Sequence, residues 1–142
     1  MIEGSCLCGQ VAFQADELSG SIGHCHCRTC QKAHSSSFST TARVAREHFR
    51  WTRGEELLKH FESSPGKRRH FCSNCGSHLI AEWVDRPNVI LRMGAVDTDP
   101  GKRPAGHIWV SHALPWLEYG ADLPMFSEGV DGPKIEGNER DA

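Results

Sequence analysis

The chain has 142 residues, 38% of them hydrophobic, with four Trp, six Phe and a formal net charge of -2. That length and apolar content suit one domain with a modest core. The near-neutral charge excludes the bulk electrostatic attraction on which general nucleic-acid and membrane-surface binders rely, leaving only local basic patches.

No window approaches the roughly 20 apolar residues of a spanning helix, and the opening "MIEGSCLCG" has no basic segment followed by an apolar run, so the sequence reads as soluble, unexported and cytoplasmic. Strand-like segments dominate, because β-branched and aromatic residues recur between turn signals. In "QVAFQA" (residues 10–15) Val11 and Phe13 alternate with Ala12 and Gln14. Further short strands are expected in "SSFSTTARV" (36–44), "HFRWTRG" (48–54), "SHLIAEWV" (77–84), "NVILRMGAV" (88–96) and "GHIWV" (106–110). The breakers "SSPGK", "DRPN", "DTDPGKRPAG" and "ALPW" separate them, since proline cannot sit inside a central strand. Two helical pieces are conceivable. One is a turn or two over residues 29–34; the other covers residues 55–62, where Leu57, Leu58 and Phe61 fit a helical face but an extended reading is equally open. From Ser127 onward the chain is polar, charged and Gly/Pro-bearing, and reads as a frayed tail.

The seven cysteines fall in three clusters: Cys6 with Cys8, then Cys25, Cys27 and Cys30, then Cys72 with Cys75. An odd number of thiols in a cytosolic setting points to metal ligands or catalytic groups rather than disulfides. Spacing of two puts both side chains of a C-x-C pair on one face of an extended segment. "FCSNCGSHL" has the form of a zinc knuckle, with Gly76 free to take a positive φ and aim backbone N–H groups at a thiolate. A structural zinc site takes four ligands in a tetrahedron, so the knuckle needs a second pair. Either Cys6, Cys8, Cys72 and Cys75 close one site and Cys25, Cys27 and Cys30 form a separate trio, or the knuckle pairs with Cys25 and Cys27. The first partition uses every thiol and is preferred. A redox C-x-x-C opens a helix after a strand in a βαβ unit, a context this sequence does not offer around Cys72.

Three thiolates leave one vertex of a zinc tetrahedron. His24 and His26 alternate with Cys25 and Cys27 and point away from them, whereas His34, one helical turn beyond Cys30, is within reach. If His34 ligates, the site is structural; if it does not, the ion shares its last position with solvent or substrate. Zinc held by three anionic thiolates acidifies water weakly and suits a soft sulfur ligand, so an open trio points to a thiol substrate held as thiolate beside a carbonyl carbon.

"GSCLCGQVAF", "HCHCRTCQKAH", "SSPGKRRHFCSNCGSHL" and "GHIWVSHALPWLEYGADLPMFSEG" together resemble the glutathione-dependent formaldehyde-activating enzyme family, also called centromere protein V-like, from about Gly4 to Gly129. The resemblance implies a mainly β, Mss4-like zinc-binding fold of several small antiparallel sheets with short helical turns over residues 1–129, followed by a polar tail, 130–142. It also implies two zinc ions per chain: a structural one on Cys6, Cys8, Cys72 and Cys75, and a labile catalytic one with an open vertex on Cys25, Cys27 and Cys30. The implied chemistry is that of a carbon–sulfur lyase acting on a thiol/aldehyde adduct such as S-hydroxymethylglutathione, formed from glutathione and formaldehyde. The rival expectation is a zinc-ribbon-like binding module with both ions structural. Nucleic acid is disfavoured as its partner by the acidic balance and the lack of interleaved basic and aromatic residues.

Other residues have plainer readings. The run "GKRRH" (66–70) is expected as a solvated hairpin turn, with charge compensation of a thiolate site or docking of a tripeptide's carboxylates as the functional alternatives. Arg28 and Lys32 lie closer to the trio in sequence. Trp109 and Trp116 are expected to pack in the core or at a rim, and His26, His78 and His112 are candidate proton shuttles.

Overall fold

The structure, a computed structural model, describes residues 1–118, 123–128 and 131–135. Part of the last family-like stretch and much of the expected tail lie outside the described residues.

Three sheets account for the fold. The first is built from β1 (Ile2–Ser5), β2 (Ala12–Ala15) and β5 (Phe49–Arg53), all antiparallel. The second has seven strands in the order β10-β3-β4-β9-β8-β7-β6. Its members are β3 (Ile22–Cys25), β4 (Ser39–Ala45), β6 (Leu58–Ser64), β7 (Lys67–Cys72), β8 (His78–Trp83), β9 (Asn88–Arg92) and β10 (Pro104–Ile108). All neighbours are antiparallel except β10, which runs parallel to β3 with Ile108 opposite Cys25. A short hairpin joins β11 (Met125–Phe126) to β12 (Lys134–Ile135), so the segment after Ser127 contains some pairing rather than fraying throughout. One α-helix, α1 (Arg28–His34), occurs among the described residues. No helix among them is long and apolar enough to cross a membrane.

The core lies between the two larger sheets. Val11 and Phe13 of the small sheet meet Val44, Leu79, Ile80 and Leu91 of the large one, all 2% exposed or less. Phe13 stacks at 5.5 Å from Phe49 and edge-on at 6.1 Å from Trp51, a geometry that aromatic quadrupoles favour. The alternation expected in residues 10–15 is replaced by burial of Val11, Ala12, Phe13 and Ala15 together, because β2 is the central strand of its sheet.

Residues 55–62 settle as a helical turn, Glu55–Leu57, running into the strand β6. β6 pairs only with β7 at the end of the large sheet, which leaves Phe61 67% exposed. Only Gly66 of the "GKRRH" run lies in the hairpin turn; from Lys67 on the run forms β7, an interior strand between β6 and β8, and buries Arg69 to 2% exposure. "GHIWV" is displaced: the strand ends at Ile108, and Trp109 takes a left-handed conformation at φ 59 before a helical turn, Val110–His112. Trp109 and Trp116 are exposed, at 59% and 68%, and belong to no core.

Candidate metal centres

Four sulfurs come together from two turns of the chain. Cys6 and Cys8 stand on the turn after β1, Cys72 ends β7 and Cys75 lies in the turn before β8. Their Sγ atoms all lie within 4.8 Å of one another. The two turns are built alike: the Gly9 N–H donates to the Cys6 carbonyl at 3.0 Å, and the Gly76 N–H to the Cys72 carbonyl at 2.8 Å. Both glycines have positive φ, 78 and 77, where a side chain would be strained. Donors address the sulfurs from outside. The Val11 N–H donates to Cys6 Sγ at 3.3 Å, and Ser77 Oγ lies 3.2 Å from Cys75 Sγ while accepting the Leu7 N–H at 3.0 Å. This serine links the two pairs. Its hydroxyl and neighbouring backbone N–H groups pull the Cys75 thiol down to about 5, which favours the thiolate that a metal needs.

The trio sits at the junction of β3 and α1. Cys25 is the last residue of β3, Cys27 is the N-cap of the helix, and Cys30 lies in its first turn. The Cys27 sulfur accepts the Cys30 N–H at 3.4 Å, a capping bond that satisfies one orphan donor of the helix and fixes two ligands against each other. The three Sγ atoms lie within 4.8 Å of one another. Hydrogen bonding from the Cys25 thiol, aided by Ser39 and Cys27, pulls Cys30 down to about 3, and Cys25 is pushed up in return because the pair shares a proton. Crowded sulfurs competing for protons are a donor set that a divalent cation satisfies by displacing them.

Among the described residues no His, Asp or Glu joins the trio as a fourth donor within the same distance. His34 turns instead toward His78, ring centroids 4.7 Å apart; burial, with Arg92 nearby, lowers it to about 4. His24 and His26 also stand apart. His24 Nδ1 shares a hydrogen bond with Thr40 Oγ1 at 2.8 Å, and the fully buried His26 shares one from Nε2 to His107 Nδ1 at 2.8 Å. Gln31 braces this region by donating to the carbonyls of His26 and His112 at 2.7 and 3.0 Å. The pairing of the knuckle with Cys25 and Cys27 is not formed.

The surroundings of the two groups differ. The trio cysteines line a cavity of ≈ 570 Å³ together with Ile22, Arg43, Lys67, Trp83, Arg92 and Trp109. Lys67 Nζ stands 5.2 Å from the Trp83 ring centroid, and burial, together with Arg69 and Arg92, lowers its pKa. Behind the cavity, Arg69 Nη1 approaches Cys30 Sγ at 4.0 Å while its Nε donates to Ser63 Oγ at 2.9 Å. Sequence reasoning placed cations beside the trio at Arg28 and Lys32; Arg28 instead donates to Gln31 Oε1 at 2.5 Å, and Lys32 is exposed. Arg92 was missed. Its only signal was an arginine closing an apolar strand segment, "NVILR".

Comparison with known proteins follows the same lines. A crystal structure of a Rhodobacter sphaeroides protein shares the fold, with a TM-score of 0.59 at 22% identity, covering 72% of this chain and 97% of that one. The sequence pattern described as "Glutathione-dependent formaldehyde-activating enzyme" matches residues 1–112, so the chain belongs to the glutathione-dependent formaldehyde-activating enzyme family. A protein of Halomonas elongata, named provisionally as such an enzyme, is 29% identical over 135 residues, 83% of this chain and 80% of that protein. An uncharacterized lyase of Schizosaccharomyces pombe is 30% identical over 86 residues, which span 61% of each chain.

Proposed function

We propose that this chain is a zinc-dependent carbon–sulfur lyase-type enzyme acting, in either direction, on a thiol/aldehyde adduct such as S-hydroxymethylglutathione. The observation that carries the reading is the contrast between the two sulfur groups: four gathered cysteines, the number a tetrahedral zinc takes, and three that line a cavity large enough for a small peptide thiol. On this reading Cys6, Cys8, Cys72 and Cys75 hold a structural zinc, and Cys25, Cys27 and Cys30 hold the catalytic one. Family membership and the lyase name of a relative support the reaction type.

Zinc bound at the trio supplies a Lewis acid that lowers a thiol's pKa and holds it as thiolate. The chain's own residues do the rest. The capping bond from Cys27 and the strand register at Cys25 fix the ligand geometry. Arg69, Arg92 and Lys67 offset the negative charge of the three thiolates, and Trp83 and Trp109 wall the cavity. In the synthetic direction the substrate sulfur forms its bond to the aldehyde carbon, the carbonyl π pair moves to oxygen, and that oxygen takes a proton from water admitted through the open cavity. Seven unpaired thiols fit a reducing compartment, and we place the protein in the cytoplasm.

The test couples metal content to turnover. Protein carrying two equivalents of zinc should lose one to a mild chelator with its circular dichroism intact, and with it the acceleration of adduct formation in a glutathione and formaldehyde mixture. Equal rates with and without protein would remove the substrate assignment. Two ions resisting chelation equally would favour a binding module with both metals structural.

A further inference from the structure

The cavity beside the trio holds more positive charge than the trio needs. Three thiolates and one divalent ion sum to a single negative charge. Against it stand Lys67, Arg92 and the exposed Arg43 in the cavity wall and Arg69 behind Cys30. Among the described residues no Asp or Glu lines the cavity. Buried cations that outnumber the anions around them are costly, so this surplus points to a ligand that brings negative charge of its own beyond a thiolate.

Arg92 shows where that charge belongs. It closes β9, opposite Thr41 in the register with β4, and is only 5% exposed. Its Nε and Nη2 are buried, with no hydrogen-bond partner among the described residues. These two nitrogens share one edge of the guanidinium and present parallel N–H groups, the fork that accepts a carboxylate through two hydrogen bonds. A structural arginine at this burial normally has that edge paired. Lys67 lines the same cavity, held half-buried beside Trp83.

We infer that Arg92 and Lys67 form a carboxylate-binding subsite in the trio cavity, so that the thiol accepted there carries a carboxylate within reach of its sulfur. The inference rests on the open-trio reading and adds a selection rule to it. Thiolate at the metal and carboxylate at the fork bring two negative charges, which with the metal cluster balance Lys67, Arg69 and Arg92, while the exposed Arg43 is left to solvent.

The experiment is calorimetric titration of the zinc-loaded protein with mercaptopropionate and with its alcohol counterpart mercaptopropanol, which differ only in the anion. The carboxylate thiol should bind about tenfold to hundredfold more tightly, the scale of a charge-assisted paired hydrogen bond. Arg92→Gln should abolish the ratio. Arg92→Lys, which keeps the charge but not the fork, should retain only part of it, and Lys67→Met should reduce it severalfold. Should Arg92→Gln fail to fold by circular dichroism, the wild-type ratio and the Lys67 variant decide. Equal affinities in the wild type would overturn the subsite and leave the open trio standing; binding of neither thiol would overturn both.

Discussion

The two sulfur groups make opposite predictions for stability, because they tie different lengths of chain. Cys8 and Cys72 are 64 residues apart, so on the proposed reading a zinc held by the quartet would close a long loop. A cross-link of that length removes unfolded-state entropy equivalent to about 4 kcal/mol. The trio spans only residues 25–30, and the logarithmic dependence on loop length makes its tie weaker by about 2 kcal/mol. The double variant Cys8→Ser/Cys75→Ser isolates the first term. It removes one ligand from each pair while keeping the two buried sulfurs, Cys6 and Cys72, in the core. Cys27→Ser is the matching trio variant; the serine retains the N-cap of α1. In urea unfolding under reducing conditions with zinc, the double variant should lose about 4 kcal/mol, a Tm drop on the order of 10 °C for a chain of this size. Cys27→Ser should lose clearly less. A trio variant destabilised as much as the quartet variant, or a double variant unfolding at the wild-type midpoint, would refute the division of roles.

Gly54 and Gly9 both have positive φ, but a Cβ on Gly54 would sit 2.0 Å from the Gln10 carbonyl oxygen whereas Gly9 faces open space. Gly9→Ala should therefore cost only the left-handed strain, about 1 kcal/mol, and Gly54→Ala substantially more in thermal unfolding; equal losses would contradict the packing argument. His34, lowered to about 4 by burial and Arg92, binds its proton less readily in the folded state than in the unfolded chain. Stability should then fall as pH drops from about 6.5 through 4 and be insensitive to this group above that window. His34→Gln should flatten that limb of the profile; an unchanged slope would assign it elsewhere.

The sequence made the sulfur grouping legible for a physical reason: ligand spacing is local, and a knuckle requires its glycine wherever it occurs. Gly76, with φ 77, is where "CSNCG" put it. Strands with a clear apolar run, such as β8 and β9, were legible as well. Charged interior positions were not. A run such as "KRRH" looks solvated unless one knows that β6 and β8 will flank it, so the burial of Arg69 could not be foreseen. Arg92 was hidden in the same way, because its surroundings are assembled from β4, β7 and β9. The partner of β3 was equally illegible, since a parallel pairing across a long intervening chain leaves no mark on either segment.

That pairing has a consequence for how the protein is made. Ile22 of β3 registers against Pro104 of β10, so the strand that delivers Cys25 gains its second neighbour only after nearly the whole sheet has been synthesised. Pairings this distant in sequence form slowly. On the ribosome the trio's thiols would emerge early and wait, exposed to oxidants and to stray metal, until β10 arrives. The last strand therefore acts as a latch on the finished centre, and truncations upstream of it should yield chains that carry all seven cysteines yet assemble the trio poorly.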